Sequence, residues 1–564
     1  MTRRTLRRGA SQVAHAVFQF SANGAARREQ NWNASLTTGD APARTLAMML
    51  ARIVTFAIDG IDPRQVWVEV DIRSGLPAFT IVGLGDVAVR ESRDRIRSAI
   101  ANSGFEFPQT RITANLAPAF LRKVGAGFDA ALAVGVLAAS RQVPVEALST
   151  YAVFGELSLS GELRDSPGAL AVAEGARRAG LERLIVPRER AREAALVDDL
   201  EVAGVSSLRE AAEVLAGAVL PPLPAAGEVG AGGGGGAREA GRADAEPDLA
   251  DIRGHAAPLL ALEIAAAGGH NLLFEGPPGT GKTMLARRIP SILPAMSRAE
   301  AIEVTRIHSI AGRHAAGLIG ARPFRAPHHT ISPSGLVGGG APPRPGEATL
   351  AHHGVLFLDE LAEFQRSTLD ALRQPLEDGC VTIVRGQHAL VFPTRFMLVA
   401  ATNPCPCGFA GVGDRCRCGE ADLRRHSRRL SGPLLDRMDL LVNVERPTEQ
   451  ELRAPAQTSS ARARERVAHA RERQRFRLAG YAARCNGEMD ARLIRRLVRL
   501  DDAAERALAQ AYAVGALSAR GRHRVVRVAQ TIADLDAHDR ITHADLLTAL
   551  SLRQRGEAER TLAA

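Results

Sequence analysis

The sequence predicts a multidomain α/β protein in which two α/β domains are followed by a helical C-terminal region. The chain has 564 residues, which is more than one hydrophobic core usually serves. Strand-like and helical runs alternate on both sides of a segment rich in proline, glycine and alanine. After residue 450 the pattern is helical throughout, so the sequence ends in a different architecture from the one in which it begins.

The N-terminal part contains a basic tail and the first predicted domain. Residues 1–47 lack sustained periodicity, so we expect a disordered tail there, or a true start at Met48 or Met49. Residues 48–220 alternate strand-like runs such as "QVWVEVDI" with helical runs such as "RESRDRIRSAIANSG". This alternation predicts an α/β domain.

The remainder of the chain divides into a linker and two further domains. Residues 221–248 read "PPLPAAGEVGAGGGGGAREAGRADAEPD", a composition that cannot build a core and predicts an interdomain linker. Residues 249–446 are predicted to form an α/β domain with a parallel sheet. Residues 447–564 are predicted to form a separate helical domain.

Composition excludes some functional classes. The net charge of +10 is compatible with nucleic acid as a partner without requiring it, and 4% aromatic residues argue against recognition by base stacking. The apolar run over 48–58 is short and interrupted by Arg52, which predicts a buried strand and no membrane span. Without a targeting signal, and with clustered cysteines, a reducing cytoplasm is the expected compartment.

A phosphate-binding loop opens the second α/β domain. "GPPGTGKT" fits the pattern G-x-x-x-x-G-K-[ST] between a strand-like and a helical run. Lys282 is one of only two lysines among 72 basic residues, as expected where a compact charge must reach the β- and γ-phosphates. The predicted ATP-binding residues are Gly276, Pro277, Pro278, Gly279, Thr280, Gly281, Lys282 and Thr283.

Polar residues follow two further strand-like runs of the same domain. "GVLFLDE" ends in Asp359 and Glu360. Asp359 is predicted to hold Mg²⁺ together with the hydroxyl of Thr283, and Glu360 to orient or deprotonate the attacking water. "FMLVAATN" ends in Asn403, which either senses the γ-phosphate or starts a turn before Pro404.

These motifs together resemble the YifB/ComM family of magnesium-chelatase-like AAA+ ATPases. The resemblance covers roughly residues 50–555 and includes "RPFRAPHHTIS", "PRPGEATLAHHGVLFLDELAEF", "NPCPCG", "SGPLLDRMDL" and "VAQTIADL". It implies an ATP- and Mg²⁺-dependent ring, hexameric, with the helical domain as the lid. By the same resemblance Asn403 is the first sensor and Arg437 the finger for a neighbouring subunit. Arg520 matches the second sensor, with Arg524 as the alternative; taken singly, arginines in so arginine-rich a chain are common surface residues.

The first α/β domain resembles the fold of Lon-type protease domains, as in the ChlI-type proteins. The similarity lies in "GELSLSGELRDSPGALAVAEGARRAGLERLIVP". A Lon-like active site needs a serine nucleophile and a lysine base. The corresponding loop, "KVGAGFD", contains Ala126 and no serine, and Lys123 is the only lysine of the domain. We therefore expect a scaffold or binding module and no active protease.

The family resemblance also implies work on DNA, single-stranded or branched, as an ATP-driven helicase or branch-migration motor in natural transformation. "CVTIVRGQHALVF" predicts a β-hairpin with Arg385 and His388 near its tip, and related ATPases project such a hairpin into the ring pore. Arg325 is a further candidate DNA contact. Two alternatives stay open: a magnesium-chelatase-type motor subunit that acts on a partner protein, and a regulatory remodeller of polypeptides.

The sequence also contains two groups of potential metal ligands. Cys405, Cys407, Cys416 and Cys418 provide four thiolates for a structural Zn²⁺, although paired ligands are usually separated by two or more residues. A reduced, metal-free loop is the alternative. For the histidine pairs at 328–329 and 352–353 a metal role is the weaker interpretation, because adjacent side chains on an extended chain point apart. They are expected to pack or cap, or in part to contact DNA.

Overall fold

A computed structural model describes most of the chain. The predicted tail over 1–47 and all but the last two residues of the predicted linker over 221–248 lie outside the described residues. The described residues are 49–83, 85–219, 247–313, 317–340, 343–385, 388–430, 432–515 and 517–553.

The first α/β part is built on a seven-stranded mixed sheet with the order β3-β4-β2-β1-β5-β8-β9. The alternate residues Val66, Val68 and Val70 of its second strand are fully buried against an alanine-rich helix, because successive side chains of a strand face opposite sides of the sheet. The seven strands of this sheet are β1 (Met49–Asp59), β2 (Asp62–Arg73), β3 (Ala78–Val82), β4 (Arg111–Ala117), β5 (Tyr151–Val153), β8 (Arg183–Pro187) and β9 (Glu201–Val205). The short strands β6 (Glu156–Leu157) and β7 (Leu163–Arg164) form a separate antiparallel pair. The helices are α1 (Val87–Asn102), α2 (Asp129–Ala139), α3 (Ala169–Arg178), α4 (Arg188–Ala194) and α5 (Leu208–Leu215).

Lys123 is fully buried in this first part of the structure. Its ammonium group donates to the carbonyl oxygen of Pro118, and burial lowers the pKa of the amine. A side chain enclosed in this way packs inside the domain and exposes no surface to a partner.

The second α/β part contains the predicted parallel sheet, which is confirmed. Its five strands have the order β11-β14-β17-β10-β18. These strands are β10 (Leu272–Glu275), β11 (Phe324–Arg325), β14 (Val355–Leu358), β17 (Met397–Thr402) and β18 (Leu440–Asn443). Two hairpins lie outside this sheet, formed by β12 (Gly338–Gly339) with β13 (Arg344–Pro345) and by β15 (Cys380–Arg385) with β16 (His388–Pro393).

Helices cover both faces of the parallel sheet. Phe274 faces the same core as helices from the C-terminal part, whereas the neighbouring Leu273 faces a second core on the opposite side. The helices of this part are α6 (Ala256–Gly268), α7 (Lys282–Ala286), α8 (Ile289–Ile292), α9 (Arg298–Ile310), α10 (Pro333–Val337), α11 (Glu347–Leu350), α12 (Arg366–Ala371), α13 (Arg373–Asp378), α14 (Glu420–Arg429) and α15 (Gly432–Leu435).

The C-terminal part is helical, as predicted. Val467 and Ala529 belong to the same hydrophobic cluster as Phe274, and their helices pack on α6, which covers one face of the parallel sheet. None of the helices within the described ranges is long and apolar enough to cross a bilayer. The helices are α16 (Glu449–Arg453), α17 (Ser460–Arg477), α18 (Ala491–Leu497), α19 (Asp502–Ala513), α20 (Ala519–Leu535) and α21 (His543–Ser551).

The first α/β part contacts the base of the β15–β16 hairpin. Ile61, in the turn between β1 and β2, packs with Ile307 of α9 and Phe392 of β16 in a small separate cluster. An ion pair of 2.8 Å between Arg306 and Glu174 joins α9 to α3 beside it. The hairpin is therefore anchored at its base on two neighbouring elements.

Candidate functional site

The loop between β10 and α7 has the backbone shape of a phosphate cradle. Gly279 and Gly281 adopt left-handed φ values of 77° and 88°, which residues with a side chain rarely take. Gly276 approaches the end of strand β18 so closely that a Cβ at this position would lie 2.2 Å from the carbonyl oxygen of Val444. The glycines of the motif are thus required by backbone geometry, and the loop opens onto the N-terminus of a helix.

Lys282 lies inside this loop and contacts the next strand of the sheet. Its Nζ donates to the carbonyl oxygens of Gly276 and Pro277 at 2.7 Å each and to Oδ1 of Asn403 at 3.1 Å. Burial lowers the pKa of the lysine, and the nearby carboxylate of Asp359 partly opposes this. The structure therefore brings Asn403 next to the lysine, where a sensor of the γ-phosphate is expected.

Thr283 and Asp359 meet at the carboxyl edge of the sheet. The Thr283 hydroxyl donates to Oδ2 of Asp359 at 2.7 Å. A hydroxyl and a carboxylate are oxygen ligands of the kind that Mg²⁺ takes in nucleotide sites. Their convergence beside the phosphate loop fits the predicted metal position.

Glu360 follows Asp359 in a left-handed conformation with φ of 51°, which turns its side chain away from the strand. Its carboxylate is 3.3 Å from Nδ1 of His329, and its side chain is 56% exposed. The sequence does not predict this contact, because it indicates only packing, capping or DNA contact for His329. No spacing in the sequence points from one residue to the other.

The four cysteines form a compact cluster directly after Asn403. The Sγ atom of Cys405 lies 3.3 Å from that of Cys407 and 3.9 Å from that of Cys416, and Cys407 lies 3.7 Å from Cys416. All four sulfur atoms, including that of Cys418, lie within 4.8 Å of one another. A tetrahedral zinc site with Zn–S bonds of about 2.3 Å separates its sulfurs by about 3.8 Å, so this donor set fits zinc.

The cysteine loop also contacts the phosphate loop and the predicted sensor. Gly408 lies so close to Pro278 that a Cβ on Gly408 would come within 2.6 Å of the proline Cδ. His426 of α14 contacts the Asn403 carbonyl oxygen through Nε2 at 2.9 Å. Asn403 is therefore held at its side chain by Lys282 and at its carbonyl oxygen by His426.

Arg437 lies at the opposite edge of the sheet from the phosphate loop. It precedes β18, whose first residue, Leu440, pairs with Leu272 at the start of the parallel strand β10. The phosphate loop follows the other end of β10. Arg437 pairs with Glu377 and lines a cavity of about 610 Å³ at the amino ends of the strands.

The predicted second-sensor arginines lie in the same cavity as Arg437. Arg520 is exposed, whereas Arg524, one turn later on α20, is only 11% exposed and lies 3.7 Å from Asp439. Burial lowers the pKa of Arg437, and the nearby charges of Arg373 and Arg520 lower it further. Of the two candidates, Arg520 is the one that faces open space beside Arg437.

The histidine pair at 352–353 corrects one expectation from the sequence. The two side chains do not point apart: both ring Nε2 atoms approach Oε2 of Glu303, at 3.2 and 2.8 Å. The reason is a turn, since His353 has φ of 57° and is not extended. The backbone N–H of Arg395 donates to Nδ1 of His352, so the ring proton sits on Nε2 and leaves no lone pair there for a metal.

The candidate DNA contacts lie apart from the phosphate loop. The β-hairpin predicted around Arg385 and His388 is confirmed, and these two residues pair across its ladder next to the tip. Val384 and Val391 on the hairpin are 67% and 52% exposed. Arg325 makes two hydrogen bonds to Glu347, at 2.5 and 2.9 Å, so its guanidinium is already bound within the fold.

The arginine-rich helix α17 is bound to other helices. Arg466 pairs with Glu263 at 2.5 Å and Arg473 pairs with Asp539 at 3.1 Å. From the sequence, the interleaved Glu465 and Glu472 favour a salt-bridged surface within the helix itself. The partners instead come from α6 and from the segment after α20.

A parallel sheet with a phosphate loop, two consecutive carboxylates and an asparagine at its carboxyl edge, covered by helices, defines a P-loop ATPase of the AAA+ class. The family model for magnesium chelatase, subunit ChlI, matches residues 248–452. Models for subunit ChlI of Mg-chelatase and for the C-terminal part of that subunit match residues 68–190 and 457–553. The chain belongs to the YifB/ComM family of magnesium-chelatase-like AAA+ ATPases.

Full-length relatives agree with this assignment. An uncharacterized protein of Mycobacterium tuberculosis is 43% identical over 90% of this chain and 99% of its own length. The uncharacterized protein YifB of Escherichia coli is 42% identical over 90% of this chain and 97% of its own. The competence protein ComM of Haemophilus influenzae is 42% identical over 90% of this chain and 98% of its own.

Proposed function

We propose that the chain is one subunit of an ATP-hydrolysing ring, hexameric, that moves branched or single-stranded DNA. The activity is branch migration or helicase action during the recombination step of natural transformation. The observation that supports it most is the arrangement of the sheet, with Lys282, Thr283, Asp359, Glu360 and Asn403 at one end of its strands and a cavity lined by Arg437 and Arg520 at the other. An ATPase built in this way becomes complete only between subunits.

Hydrolysis of ATP to ADP and phosphate divides among the residues of the carboxyl edge. The backbone N–H groups of the phosphate loop and the ammonium of Lys282 bind the β- and γ-phosphates. Thr283 and Asp359 would hold Mg²⁺, which neutralises charge that develops on the transferred phosphoryl group. Glu360 accepts the proton of the attacking water. Asn403, which lies next to Lys282, contacts the γ-phosphate and senses its presence.

The arginines of the amino edge act on a neighbouring subunit in this proposal. Arg437 and the phosphate loop lie at opposite ends of the adjacent strands β18 and β10, so Arg437 cannot reach phosphates bound in its own loop. Arg520 faces the same cavity. Both guanidinium groups would therefore stabilise charge on the nucleotide of the next subunit.

DNA contact is assigned to the β15–β16 hairpin. A hairpin with exposed apolar side chains and with Arg385 and His388 near its tip can hold a phosphate backbone without reading sequence. Its base is packed against Ile61 and Ile307, which would let movement of the α/β parts displace it. We leave Arg325 out of this surface because of its bonds to Glu347.

The first α/β part serves as a scaffold in this proposal. It resembles a Lon-type domain without the serine and the accessible lysine that proteolysis requires. Its contacts to α9 and to the base of the hairpin fit a supporting role.

We further propose that the four cysteines bind a structural zinc ion. Four thiolates complete a tetrahedral shell and leave no position for water, so the metal would stiffen the loop and would not catalyse. Because Gly408 contacts Pro278 and His426 contacts Asn403, a stiff loop keeps the sensor in register with the phosphate loop.

Replacing two of the cysteines tests the zinc proposal. Cys405→Ser with Cys407→Ser is expected to lower the zinc content from about one ion per subunit to almost none, and to lower cooperative ATPase activity while ATP still binds. Elemental analysis and a nucleotide-binding titration measure the two effects. Cys380→Ser, outside the cluster, is the matched control. Unchanged zinc in the double variant, or no zinc in the wild type, would contradict the assignment.

The ATPase rate with and without DNA separates the proposed function from its alternatives. A four-way junction is expected to stimulate ATP hydrolysis, and its binding is expected to weaken as salt rises because phosphate contacts release counterions. A chelatase-type motor predicts stimulation by a partner protein and none by DNA. A polypeptide remodeller predicts no salt-sensitive affinity for DNA. A rate that is unchanged by the junction at every salt concentration overturns the DNA assignment.

A further inference from the structure

Asp439 lies in the middle of a buried charge cluster that joins the parallel sheet to helix α20. It is 6% exposed and directly precedes β18. One carboxylate oxygen lies 3.0 Å from Arg527 and 3.7 Å from Arg524. The other accepts the backbone N–H of Asn271 at 3.3 Å and lies 3.5 Å from Nδ1 of His270.

The two arginines bound by Asp439 continue the face of α20 that carries Arg520. Residues four and seven positions apart lie on the same side of a helix, so Arg524 and Arg527 follow Arg520 along one stripe. The helix begins at Ser518, whose hydroxyl accepts the N–H of Gly521, and this places Arg520 in the first turn. Anchoring the second and third turns on Asp439 therefore sets the direction of the first.

The same cluster also holds the backbone of Arg437. Asn271 accepts the N–H of Leu398 and donates its amide to the carbonyl oxygen of Arg437 at 3.0 Å. Asp439 is two residues further along the chain and bonds the N–H of Asn271. The strand end that carries Arg437 and the helix that carries Arg520 thus share one anchor.

Electrostatics give this anchor a purpose. Arg437 and Arg520 carry like charges and line one cavity, so their guanidinium groups repel each other. Burial raises the pKa of Asp439, but Arg527 and His270 outweigh it and hold the pKa well below its usual range. The carboxylate therefore stays charged, and it supplies the attraction that keeps these arginine-bearing elements together.

We propose that Asp439 is a positioning residue that presents Arg437 and Arg520 as one rigid pair to the nucleotide of a neighbouring subunit. The inference rests on the proposed function, in which these arginines act between subunits. Asp439 is buried, and in this proposal it acts on the reaction only through the two arginines. Its removal therefore impairs the site of the neighbour and leaves the phosphate loop of its own subunit intact.

A mixing experiment tests this placement. Glu360→Gln subunits have an inactive site of their own but intact arginines, and Arg437→Ala subunits have an intact site but no finger. Equimolar mixing is expected to restore ATPase activity where an Arg437→Ala site meets a Glu360→Gln neighbour. Adding Asp439→Asn to the Glu360→Gln subunit is expected to reduce the restored rate roughly ten- to a hundredfold, since small displacements of catalytic groups cost that much.

The position of the substitution distinguishes positioning from simple destabilisation. Asp439→Asn added to the Arg437→Ala subunit is expected to leave the restored rate unchanged, although the same fold is perturbed. Asp536→Asn, which loosens a surface ion pair with Arg466, is the matched control in both subunits. If Asp439→Asn subunits fail to enter rings, Arg524→Gln weakens the same anchor while Arg527 still neutralises Asp439, and it is expected to show the same asymmetry.

The outcomes distinguish the positioning role of Asp439 from the proposed action of the arginines between subunits. An equal effect of Asp439→Asn in both subunits, or no effect in either, overturns the positioning role alone. Failure of the two parent variants to restore activity on mixing overturns the arrangement between subunits and the role of Asp439 with it.

Discussion

Glu360→Gln is expected to lower the ATPase turnover by about 10²–10⁴-fold, the contribution typical of a general base, while ATP binding is retained. The amide keeps the size of the side chain but cannot accept the proton of the attacking water. In the proposed mechanism Lys282 binds the phosphates and Thr283 and Asp359 hold Mg²⁺ without help from Glu360, so the affinity is expected to change little. Steady-state kinetics and a nucleotide-binding titration on the same preparation measure the two properties.

The neighbouring Glu363 provides the matched control for this variant. It lies one short turn after Glu360, its side chain is half-exposed, and its carboxylate lies 3.6 Å from Arg429. Glu363→Gln is expected to retain the wild-type rate. A Glu360→Gln protein with more than about a tenth of the wild-type turnover would remove Glu360 from the mechanism, because a general base contributes at least about a hundredfold.

Arg437→Ala is expected to lower ATP turnover about a thousandfold or more, the range of an arginine finger. In the proposed ring, the guanidinium stabilises charge only when a neighbouring subunit brings its nucleotide to the cavity at the amino ends of the strands. Nucleotide affinity of the isolated subunit is therefore expected to stay within about threefold of the wild type. Turnover measured over a range of protein concentrations checks this, since the wild-type rate per subunit should fall on dilution below the ring concentration.

An exposed arginine on α14 controls for the loss of charge. Arg425 of α14 is 73% exposed and lies 3.8 Å from Asp422. Arg425→Ala is expected to behave like the wild type. Full activity of Arg437→Ala, or a wild-type rate per subunit that does not change on dilution, would contradict catalysis between subunits.

The phosphate loop and the paired carboxylates could be predicted from the sequence because each is local. The strand, the glycine-rich turn and the helix follow one another directly in the chain, so the residue types at Gly279, Gly281 and Lys282 are enough to identify the loop. The roles of Asn403 and Arg437 came from the family resemblance. Asn403 follows one strand and Arg437 precedes another, and they lie at opposite ends of the sheet because these strands are parallel. The single residues do not reveal this.

Contacts between distant segments could not be predicted. Asp439 and Arg527 are 88 residues apart, and nothing in either local pattern marks the other. The contact of His329 with Glu360 likewise joins two strand ends that only the parallel sheet brings together. The orientation of the His352–His353 pair was predicted wrongly, because the assumption of an extended chain fails where one residue is left-handed.

The most direct test of an ATP-driven DNA motor is the conversion of a synthetic four-way junction into its two forked products. The wild-type ring is expected to convert the junction only with hydrolysable ATP and Mg²⁺, at a rate that falls as salt rises. The Glu360→Gln ring is expected to bind the same junction without converting it. Conversion by Glu360→Gln at the wild-type rate, or an active wild-type ATPase that leaves the junction intact, would contradict the coupling of ATP hydrolysis to DNA movement.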